Sequence, residues 1–214
     1  MKILNLFSGI GGNRSLWGEG HEVTAVEFDP AIAAVYKARF PNDHMIVGDA
    51  LASLESVAGY FDFIWASPPC QSHGQYRHRV GVLGKGYQPI IPDMTGVYGT
   101  ITFLKTYYKG LWVVENTEPY YEPLIKPSFV MQRHLFWSNF PVDQKDFAPS
   151  HLRSKNKISD FEDAHFVVGS KIKNKRQALR NCVDPEVGAH VLRMAEFARA
   201  LDAFEQEEER KNCA

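Results

Sequence analysis

Cysteine is scarce in this sequence: Cys70, Cys182 and Cys213 are the three in a chain of 214 residues. An odd number of widely spaced cysteines does not make a disulfide framework, and it is typical of a reducing compartment. Cys70 and His73 have the spacing of half a zinc site, but no second pair of Cys or His residues completes it. We therefore expect no structural metal.

The sequence also lacks an apolar run long enough to cross a bilayer, and Met1 leads into a predicted strand instead of a cleavable signal. These absences predict a cytoplasmic protein with no membrane partner. There is no excess of either charge, since the net charge is −1, and this balance alone does not indicate a nucleic-acid partner. The 44% hydrophobic content is sufficient for one domain of moderate size with its own core.

Short apolar strands alternate with helical stretches along most of the chain. This alternation predicts an α/β fold with a doubly wound, mostly parallel sheet. Pro185 at a helix start and apolar residues at helical spacing predict a C-terminal helix, and we expect residues 205–214 to fray. The predicted strands are residues 2–7, 22–26, 45–47, 61–66 and 111–114, and the predicted helices are 30–40, 51–57, 94–108 and the segment after 184.

Each predicted strand is followed by a glycine turn or by a polar or reactive side chain. A glycine-rich turn, residues 8–12, follows the first strand, although it is not the dinucleotide pattern G-x-G-x-x-G. Glu27, Asp49, Cys70 and Glu115 follow the later strands. Because the carboxyl ends of parallel strands meet at one edge of a sheet, we expect these groups to lie around one crevice.

Cys70 follows two prolines, which fix the backbone and end the strand before it. A thiol held there is placed for nucleophilic chemistry, whereas a buried structural cysteine is the alternative. Glu27 is placed for ribose hydroxyls, while Asp29 fits an N-cap of the helix that follows it. Glu115 is a candidate proton donor, with a surface acid as the alternative.

Two basic stretches stand out from the balanced composition. Basic residues near Cys70 and before the C-terminal helix are either solvated faces or contacts to a phosphate backbone. Their position beside the candidate nucleophile favours phosphates. The first stretch holds Arg77, Arg79 and Lys85, and the second holds Lys171, Lys173, Lys175, Arg176 and Arg180.

Taken together, these motifs resemble the cytosine-5 DNA methyltransferases across nearly the whole chain. Residues 6–12 are similar to the family's first motif, Pro69-Cys70-Gln71 to its nucleophile motif, and Glu115-Asn116 to its Glu-Asn pair. The resemblance implies a Rossmann-like methyltransferase fold and S-adenosylmethionine as cofactor, with S-adenosylhomocysteine as product. The residues it assigns to the cofactor are Phe7, Ser8, Gly9, Ile10, Gly11, Gly12, Glu27, Phe28, Asp49, Ala50, Pro69, Asn181, Cys182 and Val183.

The resemblance further implies a reaction on double-stranded DNA, in which a flipped cytosine is attacked by Cys70 at carbon 6 and engaged by Glu115. Gln71 and the basic residues above would then hold the DNA. The family's arginine motif is only partly present, as Gln132-Arg133-His134. Arg133 is expected to contact the cytosine carbonyl or a phosphate, with His134 in the place of a second arginine.

Residues 140–175 stand where the family carries a longer recognition domain. We expect a reduced, irregular lobe there, with the catalytic domain formed by residues 1–139 and 176–214. Few base contacts fit on so short a segment, which predicts a short or relaxed target sequence, helped by a second copy of the chain or an accessory partner. A bacterial or phage-encoded enzyme of DNA modification or restriction-modification is the resulting expectation. A tRNA cytosine-5 methyltransferase and a non-catalytic nucleic-acid-binding relative are the alternatives.

Overall fold

The computed structural model describes residues 1–71, 74–75, 94–147, 157–161 and 163–212 of the chain. Within these residues a seven-stranded sheet has the order β3-β2-β1-β4-β5-β7-β6. Its strands are β1 (Lys2–Leu6), β2 (Glu22–Glu27), β3 (His44–Val47), β4 (Phe63–Ala66), β5 (Leu111–Thr117), β6 (Phe129–Met131) and β7 (His134–Ser138).

The first five strands are parallel, and their register places every carboxyl end at the same edge. Leu6 of β1 lies between Val26 of β2 and Ala66 of β4, and Ala66 in turn pairs with Val114 of β5. Strand β7 then inserts antiparallel to β5 and carries β6 at the outer edge. The sheet is therefore the doubly wound, mostly parallel α/β sheet that the sequence predicted, and the predicted fold class is confirmed.

Helices pack on both faces of this sheet. They are α1 (Pro30–Arg39), α2 (Ala50–Val57), α3 (Val97–Tyr107), α4 (Ala164–Val167), α5 (Lys175–Arg180) and α6 (Pro185–Asn212), with short 3-10 turns at Asn13–Leu16, Ala58–Tyr60 and Ile158–Asp160. Asp29 caps α1 by accepting hydrogen bonds from Ala31 and Ile32, as its spacing from Pro30 predicted.

Two apolar clusters, one on each face, hold the layers together. On one face Leu4, Ile64 and Val114 pack against Ile101 and Leu104 of α3. On the other face Trp65 and Phe63 pack with the first half of α6, including Val187, Val191 and Ala195. All four residues of β4 are fully buried because helices cover both sides of this central strand.

Three details differ from the sequence-based expectations. Glu115 and Asn116 lie inside β5, because the antiparallel pairing with β7 continues the strand to Thr117. Helix α6 continues to Asn212, so residues 205–212 are helical instead of frayed. Within residues 140–175, which were expected to be irregular, helix α4 forms, and Phe161, Val167 and Ile172 pack with Ile10 and Val35. No described helix is long and apolar enough to span a membrane.

Candidate active site

A cavity of about 620 Å³ opens at the carboxyl edge of the parallel strands. Its size is in the range of small-molecule sites. The groups that follow β1 to β5 all reach it, and the start of β7 and the segment before α6 close its far side. Among its walls are Phe7, Ser8, Gly9, Ile10, Gly12, Glu27, Phe28, Asp49, Ala50, Pro69, Cys70, Gln71, Glu115, Arg133, Asn181, Cys182 and Val183.

The glycine turn after β1 forms one end of the cavity. Phe7 and Gly9 have φ angles of 55° and 56°, and this left-handed geometry turns the backbone sharply at the strand end. The Gly9 amide donates to Glu27 Oε2 at 3.0 Å, which ties the turn to the end of β2. The Ser8 hydroxyl is buried and has no hydrogen-bond partner among the described residues, so the cavity offers a donor to a ligand there.

The second half of the turn is held by packing. A Cβ on Gly12 would stand 2.6 Å from Cys182 Cβ and 2.7 Å from the Val183 carbonyl oxygen, so only glycine fits at this point. Gly11 does not line the cavity; a Cβ there would meet the rings of Phe40 and Tyr36. Gly11 therefore supports the turn from behind, although the sequence placed it with the ligand contacts.

Glu27 is the most constrained acid at the strand ends. Its two carboxylate oxygens accept hydrogen bonds from the Gly9 amide and, at 2.9 Å, from the Asp29 amide. Burial raises its pKa, and these backbone hydrogen bonds oppose the rise. Asp49 caps α2 through Oδ1, which accepts from the Leu51 amide at 2.8 Å. Phe28 lies exposed at the rim beside these two acids.

A hydrogen bond ties the Cys70 turn to β5: Asn116 Nδ2 donates to the Pro68 carbonyl at 2.8 Å. Cys70 is half-buried on the cavity wall. Burial, and then the nearby Glu115 carboxylate, raise the pKa of the thiol; a hydrogen bond from the Thr117 hydroxyl and the charge of Arg133 act in the opposite sense. The interpretation of Cys70 as a packed structural cysteine does not fit this position.

Glu115 is buried beside the thiol, with 5% of its surface exposed. Burial raises its pKa to about 7, and a hydrogen bond from the Ser67 hydroxyl and the charge of Arg133 moderate the rise. The indole Nε1 of Trp65 donates to Ser67 Oγ at 2.8 Å. Because an indole can only donate, the Ser67 oxygen accepts this bond and its proton is directed to Glu115. A surface acid, the alternative interpretation of Glu115, does not fit this burial.

Arg133 and His134 approach Glu115 from β7. Gln132 turns the chain with a φ of 52°, and Arg133 follows with its Nη2 donating to the Arg180 carbonyl at 2.7 Å. His134 Nδ1 lies 3.5 Å from Glu115 Oε1. The second arginine of the expected motif is thus replaced by an imidazole that faces the buried carboxyl group.

The predicted nucleic-acid contacts fall in three groups. Lys173 and Arg180 line the cavity, and Gln71 lies exposed at its rim. Lys171 is exposed, and Lys175 and Arg176 are half-buried. None of these three residues lines the cavity. Arg77, Arg79 and Lys85 lie outside the described residues.

Two side chains at the site were not singled out in the sequence. Ser67 was taken only as part of the turn before Cys70, and its link to Trp65 depends on the strand geometry. Thr117 was given no role there, and its contact with Cys70 depends on the pairing that extends β5. The described residues contain no group of three His, Cys, Asp or Glu side chains that could hold a metal ion.

Residues 1–88 match the family model described as C-5 cytosine-specific DNA methylase. The type II methyltransferase M.NgoPII of Neisseria gonorrhoeae is 41% identical over 75 residues, which are 34% of this chain and 22% of that protein. The tRNA (cytosine(38)-C(5))-methyltransferase of Mus musculus is 32% identical over 97 residues, 42% of this chain and 22% of that protein. The match thus spans about a fifth of the length of these curated relatives.

Among solved structures, a mutant of DNMT2 from Spodoptera frugiperda is similar, with 25% identity and a TM-score of 0.37 over 55% of this chain and 35% of that one. A SAM-dependent methyltransferase from Agrobacterium tumefaciens has 16% identity and a TM-score of 0.41 over 56% of this chain and 40% of that one.

Proposed function

Residues 1–88 match the family model described as C-5 cytosine-specific DNA methylase, and we propose that this protein transfers a methyl group from S-adenosylmethionine to carbon 5 of cytosine in DNA. One observation carries the proposal: Cys70 and Glu115 lie on the wall of the same cavity as the glycine turn and the acids Glu27 and Asp49. A nucleophile, an acid and a nucleoside-sized site are thereby brought together.

The residues present fit S-adenosylmethionine. The buried Ser8 hydroxyl and the turn after β1 would donate hydrogen bonds to the charged end of the cofactor. Glu27 and Asp49 would accept hydrogen bonds from its ribose and adenine. Phe28, exposed at the rim, would cover the adenine ring. When bound there, the cofactor supplies an electrophilic methyl group on a positively charged sulfur.

Cys70 and Glu115 would act on the cytosine together. Carbon 5 is a poor nucleophile until the Cys70 thiolate adds to carbon 6, and this addition places negative charge on the ring. Because burial raises the pKa of Glu115 to about 7, this carboxyl group can hold a proton near neutral pH and donate it to ring nitrogen 3. After methyl transfer the carbon 5 proton leaves to solvent, elimination of the Cys70 thiolate restores the aromatic ring, and ring nitrogen 3 returns its proton to the Glu115 carboxylate.

Thr117 and Arg133 would assist the first step. The Thr117 hydroxyl and the Arg133 charge both favour the thiolate form of Cys70, against burial and the Glu115 charge. Arg133 would reach the cytosine carbonyl from the opposite side of the cavity. Its anchoring bond to the Arg180 carbonyl restricts its rotamers, so the guanidinium is held ready for the base.

Lys173 and Arg180 at the mouth of the cavity would meet the DNA backbone, with Lys171 on the adjoining surface. A cytosine can reach Cys70 only when it is extruded from the duplex, because the thiol lies on the wall of a recessed site. The short segment between β7 and α5 supports the proposal of a short or relaxed target sequence, since each discriminating base contact contributes about 1 to 3 kcal/mol.

DNA and tRNA are the two candidate substrates, because this chain is similar to M.NgoPII and also to tRNA (cytosine(38)-C(5))-methyltransferases. We favour DNA, since the matching family model is that of a DNA methylase and the identity to M.NgoPII, at 41%, exceeds the 32% to the mouse tRNA enzyme. The two substrates require the same chemistry at Cys70 and Glu115.

The test incubates the protein with S-adenosylmethionine carrying a labelled methyl group and, separately, with duplex DNA of mixed sequence and with transfer RNA. Cys70→Ala serves as the matched control, and bisulfite sequencing maps the product. We expect label at carbon 5 of cytosine in DNA and none with the variant. Label only in tRNA would establish the alternative substrate. Label in neither, or label that survives Cys70→Ala, would refute the proposed chemistry.

A further inference from the structure

The second half of helix α6 projects from the protein and carries an apolar seam. The helix has 28 residues and is about 42 Å long. Its first half is buried in the core up to Ala195, whereas nearly every residue from Glu196 to Asn212 is exposed. In this projecting half Phe197, Leu201 and Phe204 are exposed by 58%, 45% and 60%.

These three side chains form a continuous stripe, which we call the seam. They are spaced by four and then three residues, which is the spacing of a coiled-coil contact, and Met194 continues the pattern toward the body. The seam ends at His190, because the Phe147 ring lies 5.7 Å from that imidazole and covers the helix there. Met194 is half-buried and packs against the core beneath the helix, so the uncovered part of the seam extends from Phe197 to Phe204.

The seam faces away from the body of the protein. Arg199 pairs with Asp62 at 3.5 Å and Glu196 with His21 at 3.4 Å, so the other side of the helix is the one tied to the domain. At 3.6 residues per turn, Leu201 lies almost opposite Arg199 around the helix axis. The described part of the same chain therefore does not cover the seam.

We propose that the seam binds the seam of a second copy of this chain, in an antiparallel pair of helices. The two-fold axis would cross the pair of helices at the level of residue 199 along the helix. Phe197 would then face the partner's Leu201, and Met194 would face the partner's Phe204. Ala198 and Ala200 flank the centre of this contact, and their small side chains allow the two helices to approach closely.

Charge complementarity specifies both the occupant and the direction. Near its end the helix has an acidic stretch with Glu205, Glu207, Glu208 and Glu209, which Arg210 and Lys211 follow, and the start of its exposed part has Arg193. In a parallel pair the two acidic ends would lie side by side and repel each other. In the antiparallel pair Arg193 lies on the same flank as the partner's Glu207, and symmetry produces this pair twice.

The experiment measures the mass of the full chain by sedimentation equilibrium over a micromolar concentration series. We expect a reversible change from 24.3 kDa to about 49 kDa, twice the mass of the chain. Leu201→Glu should weaken the association at least tenfold. Val168→Glu, which places the same charge at another exposed apolar residue, should leave it unchanged. Circular dichroism of each variant establishes that the fold is retained.

Exchange of the charges tests the direction of the pair. Arg193→Glu and Glu207→Arg, each alone, should weaken the association severalfold, and the double variant should restore it. A wild-type chain that stays at 24.3 kDa throughout, or a Leu201→Glu variant that associates as well as the wild type, would overturn the proposal. A double variant that is weaker than both single variants would also overturn it.

Discussion

Replacing Glu115 by glutamine should stabilise the protein at neutral and alkaline pH while abolishing most of its activity. The folded protein binds the Glu115 proton more tightly than the unfolded chain does, because burial raises the pKa of this carboxyl group from 4.5 to about 7. At about 1.4 kcal/mol per pKa unit, ionisation inside the folded protein is unfavourable by about 3 kcal/mol. Glutamine has nearly the same shape and stays neutral.

The pH dependence of this stabilisation follows from the difference in proton binding between the folded and the unfolded protein. Below about pH 4 the carboxyl group is protonated in both states, and the two proteins should be about equally stable. As pH rises from about 4.5 to about 7 the unfolded chain loses its proton first, so the wild type loses stability relative to the variant. At pH 8 the variant should be more stable by about 3 kcal/mol.

Urea unfolding at pH 4 and pH 8 measures both free energies. Glu122→Gln is the matched control, because Glu122 is exposed, and it should change stability by less than about 0.5 kcal/mol. In the methyl-transfer assay Glu115→Gln should reduce turnover by about 100-fold or more, since the amide cannot protonate the base. A variant no more stable than the wild type at pH 8 would refute our account of this buried acid.

Three further predictions concern the same cavity. Thr117→Val removes the hydroxyl that favours the Cys70 thiolate, so alkylation of Cys70 by iodoacetamide should need a higher pH than in the wild type; an unshifted pH profile would contradict this. Gly12→Ala places a methyl group 2.6 Å from Cys182 Cβ and should abolish binding of S-adenosylmethionine in calorimetry, together with a loss of stability. Glu27→Gln should weaken that binding about tenfold without unfolding the protein, and unchanged affinity would exclude Glu27 from the cofactor site.

The sequence was sufficient to predict the five parallel strands and the edge at which their reactive groups meet, but not β6 and β7. Strand spacing and the turns after each strand are local signals, and the parallel arrangement then brings Glu27, Cys70 and Glu115 to one crevice. The placement of Glu115 inside β5 could not be predicted, because it depends on pairing with Phe136 of β7, far along the chain. When a distant partner strand determines where a strand ends, the local sequence does not mark that end.

The hydrogen bonds that tune the site were also beyond the sequence. The link from Trp65 through Ser67 to Glu115 requires two side chains to meet at the end of one strand, in a geometry that only the folded structure has. Helix α6 was underestimated for a different reason. Its acidic end was taken as fraying, but alanine, glutamate, lysine and arginine are strong helix formers, and Lys211 pairs with Glu207 one turn before it.

The glycine turn packs against residues that are synthesised much later, at positions 182–188. Trp17 Nε1 donates to the Gly188 carbonyl across 171 residues, and Gly12 packs against Cys182 and Val183. The first strand and its turn therefore emerge from the ribosome long before the wall that completes them. At about 5 to 20 residues per second, the nascent chain spends roughly 10 s or more without a finished pocket. The cavity therefore lacks part of its wall until residues 182–188 have been synthesised.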